Sequence, residues 1–257
     1  MTTPSADDFR ALARSSPWRW STLRFTVRWS FDPHRTQPLR AWLRRPDRLR
    51  VETVDGGLVQ VVREERQRIS QLTTDGGRTV DMPWATDRGA PVPELRADGL
   101  VARRPSSWEL SPDDPMYQSY FWVAMLDPVE LADGRDDEDG TEGPGLDVDR
   151  VSAVAHAGRP AWEAVVRTTP RYQPRCGCCS LLRDRRIDQL EWDGRNQLAE
   201  YPDAYRVRLD VGTGVCVRTE AVGGSVTGQG HDLLIEAVDE PMADELFVLP
   251  RRGLLRR

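Results

Sequence analysis

The residues whose types and spacing could do chemistry are the four cysteines: Cys176, Cys178 and Cys179 in the run CGCC, and Cys216 further along the chain. C-x-C-C is not the C-x₂-C spacing of a zinc knuckle, yet thiolates clustered by a turn are natural ligands for a thiophilic metal. Gly177 supplies the backbone freedom for such a turn. Strict strand alternation places Cys216 with Arg218 and Glu220, opposite Val215, Val217 and Thr219, so a loop crossing the outside of the sheet could reach it. The expectation is one cluster: Cys176, with Cys178 or Cys179, brought to Cys216, and His231 as the substitute ligand of a closed structural zinc site. Two other readings stand beside it, free inert thiols and a redox switch.

No other constellation points to catalysis. The three histidines are isolated, His34 in a turn, His156 at a strand end and His231 in a glycine-rich loop, and none has H-x-x-x-H spacing. The carboxylates crowd into residues 136–142, where nothing apolar would drive two pKa values apart. G-x-S-x-G and Walker spacings are absent, and GGSVTGQG at 223–230 does not match a dinucleotide fingerprint. The expected protein is therefore not an enzyme. Nine tryptophans are the remaining resource. Trp29, Trp42, Trp84, Trp108 and Trp122, with Tyr120 and Phe121, are candidates to line an apolar ligand cavity. Filling an ordinary core is the simpler use of the same side chains.

The elements that must position these residues are mostly strands. A short helix runs from Asp7 to about Arg14, with Ser5 as its cap and Phe9, Leu12 and Ala13 on one face. From Leu23 the period becomes two, with Phe25, Val27 and Trp29 facing one way and Arg24, Thr26 and Arg28 the other. Further strands follow around Ala41, Leu49 and Leu58, the last after a hairpin signal at Asp55-Gly56-Gly57. Asp113-Asp114-Pro115 predicts a helix over 116–127 that is apolar over much of its circumference and must be covered. Residues 132–147 are acidic and glycine-rich and read as a mobile surface loop. Strands resume at 148–155 and 160–169. A cysteine-containing insertion follows over 170–203, with a helix near 185–197. Strands at 205–210, 215–220 and 233–238 complete the set, and 251–257 is a tail. The predicted core includes Phe25, Val27, Leu43, Leu49, Val51, Val165, Val207, Leu209 and Val217. The fold expected is a single domain over 1–250, mainly β with a few helices, built on one strongly curved antiparallel sheet.

Composition narrows the partners. All basic residues among the 36 Lys+Arg are arginine, and the net charge is -5, so no overall positive field draws the chain to nucleic acid. The mean hydropathy of -0.58 is that of a polar globular chain, and no apolar run is long enough to span a bilayer. The amino terminus lacks a basic region followed by an apolar run, so a cytoplasmic location with reduced thiols is expected.

Four segments carry a family resemblance: RPDRLRVE at 45–52, ADGLVARRP at 97–105, AGRPAWEAVV at 157–166 and YRVRLDVGTGVCVRTE at 205–220. In order and spacing they resemble the LolA-like fold family, which includes the periplasmic lipoprotein carriers, the amino-terminal domain of the envelope-stress regulator RseB and actinobacterial lipid carriers. The resemblance implies an unclosed barrel with a helix-lidded apolar cavity, and hence a non-catalytic module that binds a lipophilic molecule or a hydrophobic peptide. An interaction or regulatory protein with a filled core, meeting a protein partner through the metal- or thiol-clasped insertion, is the alternative, and an uncharacterised enzyme is the second.

Overall fold

The computed structural model describes residues 3–30, 37–63, 92–105, 113–136, 139–193 and 195–249, together with the backbone of 71–73 and 79–81. His34, Trp84, Trp108 and the tail at 251–257 lie outside the described residues. Helix α1, Ala6–Ser15, begins where Ser5 and Asp8 close a capping box: the Asp8 amide donates to Ser5 Oγ and the Ser5 amide to the Asp8 carboxylate. Its buried face is Phe9, Leu12 and Ala13, and Pro17 turns it into a short 3₁₀ segment, Ser16–Trp18.

Nine strands form one antiparallel sheet. They are β1 Thr22–Trp29, β2 Leu39–Arg44, β3 Arg48–Thr53, β4 Leu58–Arg63, β5 Leu146–His156, β6 Arg159–Thr168, β7 Ala204–Asp210, β8 Cys216–Val222 and β9 Gly230–Val238. The spatial order is β5-β6-β7-β8-β9-β1-β2-β3-β4, with β5 and β4 at the two edges among the described residues, so the sheet they form is unclosed. Alternation sorts the faces as the sequence predicts: Phe25, Val27, Leu43, Leu49, Val51, Val207 and Leu209 are fully buried. The opposite face is an arginine–carboxylate lattice, with Arg208 to Glu163 at 2.7 Å and Arg206 to Glu220 at 3.0 Å. Val165 departs from the expectation. It lies opposite Arg206 in the register, on the outer face, while Ala164 and Val166 take the core.

Arg45 ties the start of this sheet to α1. Its guanidinium forms two hydrogen bonds to Asp114, of 2.8 and 2.7 Å, donates to the carbonyls of Ser16, Pro17 and Trp20, and lies over the Trp20 ring. At the β7–β8 turn, Asp210 accepts from the Thr213 amide and hydroxyl. Gly214 follows at φ +75, where a Cβ would lie 2.7 Å from the Leu12 carbonyl. Glycine is therefore required for that turn to seat on α1.

Two elements differ from expectation. The helix predicted over 116–127 is only α2, Phe121–Leu126, because Gln118 takes a positive φ and Asp113 and Asp114 are engaged in tertiary bonds rather than in starting a helix. Residues 132–147 are not a featureless loop: Asp133–Arg135 pairs with Glu142–Pro144 as a ribbon. Gly134 sits so close to the chain at Arg171 that a Cβ would be 2.0 Å from its carbonyl oxygen. The acidic composition concealed this ribbon because backbone packing, not side-chain burial, holds it. Among the described residues no helix is long and apolar enough to cross a membrane.

Candidate functional site

The insertion brings three of the four cysteines together. Cys176 is extended, and Gly177–Cys179 forms one 3₁₀ turn, which folds the three sulfurs toward a common point. Cys176 Sγ lies 3.2 Å from Cys178 Sγ, which lies 3.5 Å from Cys179 Sγ, and the three sulfurs are all within 4.8 Å of one another. Cys178 is exposed, and its thiol is pushed up to about 12, first by its contact with Cys176 and then by burial. The turn is followed by Asp184, whose side chain caps α3, Arg185–Trp192. Helix α3 ends where Asp193 adopts a left-handed conformation, short of the predicted limit at 197.

Cys216 does not join this group. Leu209 pairs with Cys216 while Arg208 pairs with Arg218, so Val217 is the extra residue of a β-bulge. The bulge breaks the alternation on which the outward assignment of Cys216 rested and turns its side chain into the core, fully buried. The predicted zinc partner His231 is buried too, with Nε2 2.8 Å from the Cys216 carbonyl and Nδ1 2.9 Å from Thr219 Oγ1. A carbonyl only accepts, so Nε2 carries the proton and Nδ1 accepts from the hydroxyl. Burial holds the ring neutral, down to about 4. Both nitrogens are therefore satisfied, and the four-ligand closed site expected from the sequence is replaced by a three-sulfur group.

A buried polar network fixes the turn to the body of the protein. Glu130 accepts hydrogen bonds from Tyr172 Oη and from the Leu181 amide at 2.8 Å, and the Leu182 amide donates to Tyr172 Oη at 3.2 Å. Desolvation raises the Glu130 carboxyl to about 7 despite these donors. Beside it Asp127 is buried. Desolvation would raise its pKa, but Arg104, within hydrogen-bond distance, outweighs burial and holds the carboxyl below its ordinary range. Arg175, immediately before Cys176, pairs with Asp113 and lies 3.7 Å from Asp127. The sequence reading missed Glu130, Tyr172 and Arg104 entirely. Their only signal is a carboxylate within an apolar stretch, PVEL, following the hydrophobic helix.

The aromatic candidates divide. Trp122 sits at the centre of the inner face, its ring centroid 5.6 Å from Phe25, 5.5 Å from Trp29 and 5.7 Å from Tyr117. Phe121 meets His231 edge-on at 5.6 Å. Tyr120 is half-buried and donates to Asp113. Trp42 is a correction: it alternates with the buried Ala41 and Leu43, and so lies on the outer face with Arg40 and Arg44. Trp29, Phe121 and Trp122 thus act as packing between α2 and the sheet.

An open cleft lies elsewhere, at the end of α1. It has a volume of about 360 Å³ and is lined by Ser15, Trp18, Arg19, Pro93, Leu95, Gly99, Val101 and Gly212. Two of the segments that carry the family resemblance meet here, at Gly99 and Val101 and at Gly212. Beside the cleft Glu94–Leu95 pairs with Val101–Arg103 in a two-stranded ribbon, and this is the strand pairing of Glu94–Leu95 among the described residues. Leu95 is 56% and Val92 84% exposed.

The fold is similar to MucB. Against the complex of MucA and MucB from Pseudomonas aeruginosa the TM-score is 0.38 at 16% identity, covering 94% of this chain and 60% of that one. Against MucB alone the TM-score is 0.39 at 16% identity, covering 94% and 62%. The chain thus spans about three fifths of the length of these MucB chains. No protein-family model matches the sequence, and no curated protein matches it.

Proposed function

We propose that this protein is a non-catalytic binding module that takes up a hydrophobic peptide segment of a protein partner in the cleft between Trp18 and Leu95. The observation that carries this reading is the edge of Glu94–Leu95 that has no further strand partner among the described residues, beside a cleft to which Trp18, Pro93, Leu95 and Val101 contribute apolar surface. A strand edge supplies main-chain hydrogen bonds, while a pocket next to it receives alternate side chains of an added strand. A lipid would use the pocket but not the edge, which favours the peptide over the lipophilic molecule. The inner face of the sheet supports the same choice, since Trp122, Met125 and Leu126 fill it. Nothing in this reading requires the polar groups near the cleft to move protons. A reducing, cytoplasmic setting suits the three adjacent free thiols.

The test is titration of the full chain with short peptides bearing apolar side chains at alternate positions, read by tryptophan fluorescence. Native mass spectrometry of protein prepared without detergent accompanies it. Saturable binding that weakens at least tenfold in Leu95→Asp, about 1.4 kcal/mol, supports the proposal. A co-purifying lipid together with peptides that bind parent and variant equally overturns it.

A further inference from the structure

The three-sulfur turn stands apart from the cleft, and nothing in the peptide-binding reading uses it. We infer that Cys176, Cys178 and Cys179 form a three-thiolate site for a thiophilic metal cation, with its fourth coordination position open to solvent. Zinc–sulfur bonds of about 2.3 Å around a tetrahedral ion place neighbouring sulfurs somewhat under 4 Å apart. The observed separations of 3.2 and 3.5 Å need only a small spreading of the turn to receive one.

The backbone is shaped for this. The Cys179 amide donates to the Cys176 carbonyl at 3.2 Å, which closes the turn and brings the three sulfurs within 4.8 Å of one another. Gly177 leaves room for Glu191 of α3, whose Oε2 would lie 2.7 Å from a Cβ at that position. The turn is held on both sides, by Arg175 on Asp113 before it and by the Leu181 amide on Glu130 after it. Metal sites depend on supporting bonds of this kind to keep their ligands in place. Soft sulfur donors select zinc, cadmium or copper(I) over magnesium or calcium. The open fourth position follows from where Cys216 and His231 lie, one in the core and the other with both ring nitrogens bonded. Binding replaces the thiol protons by the cation, one proton released per thiolate formed, with no change of oxidation state.

The experiment uses the full chain, reduced and freed of metal, titrated with cadmium(II). The readouts are the sulfur-to-cadmium charge-transfer absorption and native mass spectrometry. One ion per chain is expected, with an absorption proportional to three thiolates. Each of Cys176→Ser, Cys178→Ser and Cys179→Ser should weaken binding by more than the roughly 10–100-fold that loss of a merely supporting residue causes. Cys216→Ala should retain one ion and the full absorption. These turn positions are not in the core, and circular dichroism checks that each variant is folded. Absence of a saturable band, a band that survives in the triple serine variant, or a band lost in a folded Cys216→Ala protein would overturn the assignment.

Discussion

Glu130 and His231 are both buried and both shifted, in opposite directions, and their effects on stability oppose each other. Burial raises the Glu130 carboxyl from an ordinary 4.5 to about 7, so the fold binds a proton that the unfolded chain has released. That contribution is complete below pH 4.5 and is lost as pH rises through about 7. Burial lowers His231 from 6.5 to about 4, so its contribution is complete above pH 6.5 and is lost as pH falls through about 4. Each shift corresponds to something on the order of 3 kcal/mol. The two slopes therefore nearly cancel between pH 4.5 and 6.5. Glu130→Gln removes one of them and keeps an acceptor for the Leu181 amide. Urea unfolding of that variant should show stability climbing with pH across this window by an amount the parent does not show. Parallel profiles for variant and parent would mean that Glu130 is ionised in the fold. At this scale the sequence was legible where local chemistry decides, as in the Ser5 cap. It was not legible for Cys216, because one extra residue at Val217 reverses a side chain without any marker of its own.

Among the elements, the ribbon of residues 133–135 and 142–144 shows how composition misleads. The acidic, glycine-rich segment has few side chains to bury, yet Arg14 pairs with Asp133 at 2.7 Å and the Arg135 amide donates to the Arg171 carbonyl at 2.9 Å. Gly134→Ala forces a methyl group against that carbonyl and should destabilise the fold by about 1–3 kcal/mol, the usual cost of overpacking. Alanine at Gly158, where a Cβ meets nothing within 4 Å, is the control and carries only the strain of its φ of +79. Equal melting temperatures for Gly134→Ala and the parent would show that the ribbon does not dock. Most strands were legible because their apolar residues alternate over many positions, which fixes face and register together. Helix α2 was not, since its boundary is set by Gln118 and by ion pairs to Asp113 and Asp114, contacts distant in sequence.

For the whole molecule, the nine-stranded sheet is two blocks joined by a narrow seam. Strands β8 and β9 share the pairs Arg218–Asp232, Thr219–His231 and Glu220–Gly230, continued by Ala221 bonded to Gln229 and Gly228. Their strand ladder stops at the Arg218–Asp232 pair, next to the bulge residue Val217 of the β7–β8 pairing, and beyond it histidines reach backbone carbonyls. His231 Nε2 donates to the Cys216 carbonyl on one side of the seam, and His156 Nε2, from the end of β5, donates to the Leu233 carbonyl at 3.0 Å on the other. These isolated histidines, unreadable as a pair from the sequence, are thus a structural stitch. Replacing either by phenylalanine preserves ring size but leaves a buried carbonyl without its donor, at a cost of about 1–3 kcal/mol. Because both rings close the same opening, their effects should not add, and a double-mutant cycle should give a coupling of at least about 0.5 kcal/mol. Amide hydrogen exchange locates the damage. In His156→Phe and His231→Phe, the amides of residues 218–220 and 230–232 should lose protection while those of β2 and β3 keep it, because the longer β1–β2 and β2–β3 ladders are untouched. Uniform loss of protection through β2, β3 and the seam would mean that the sheet opens as one unit, and the two-block description would fall.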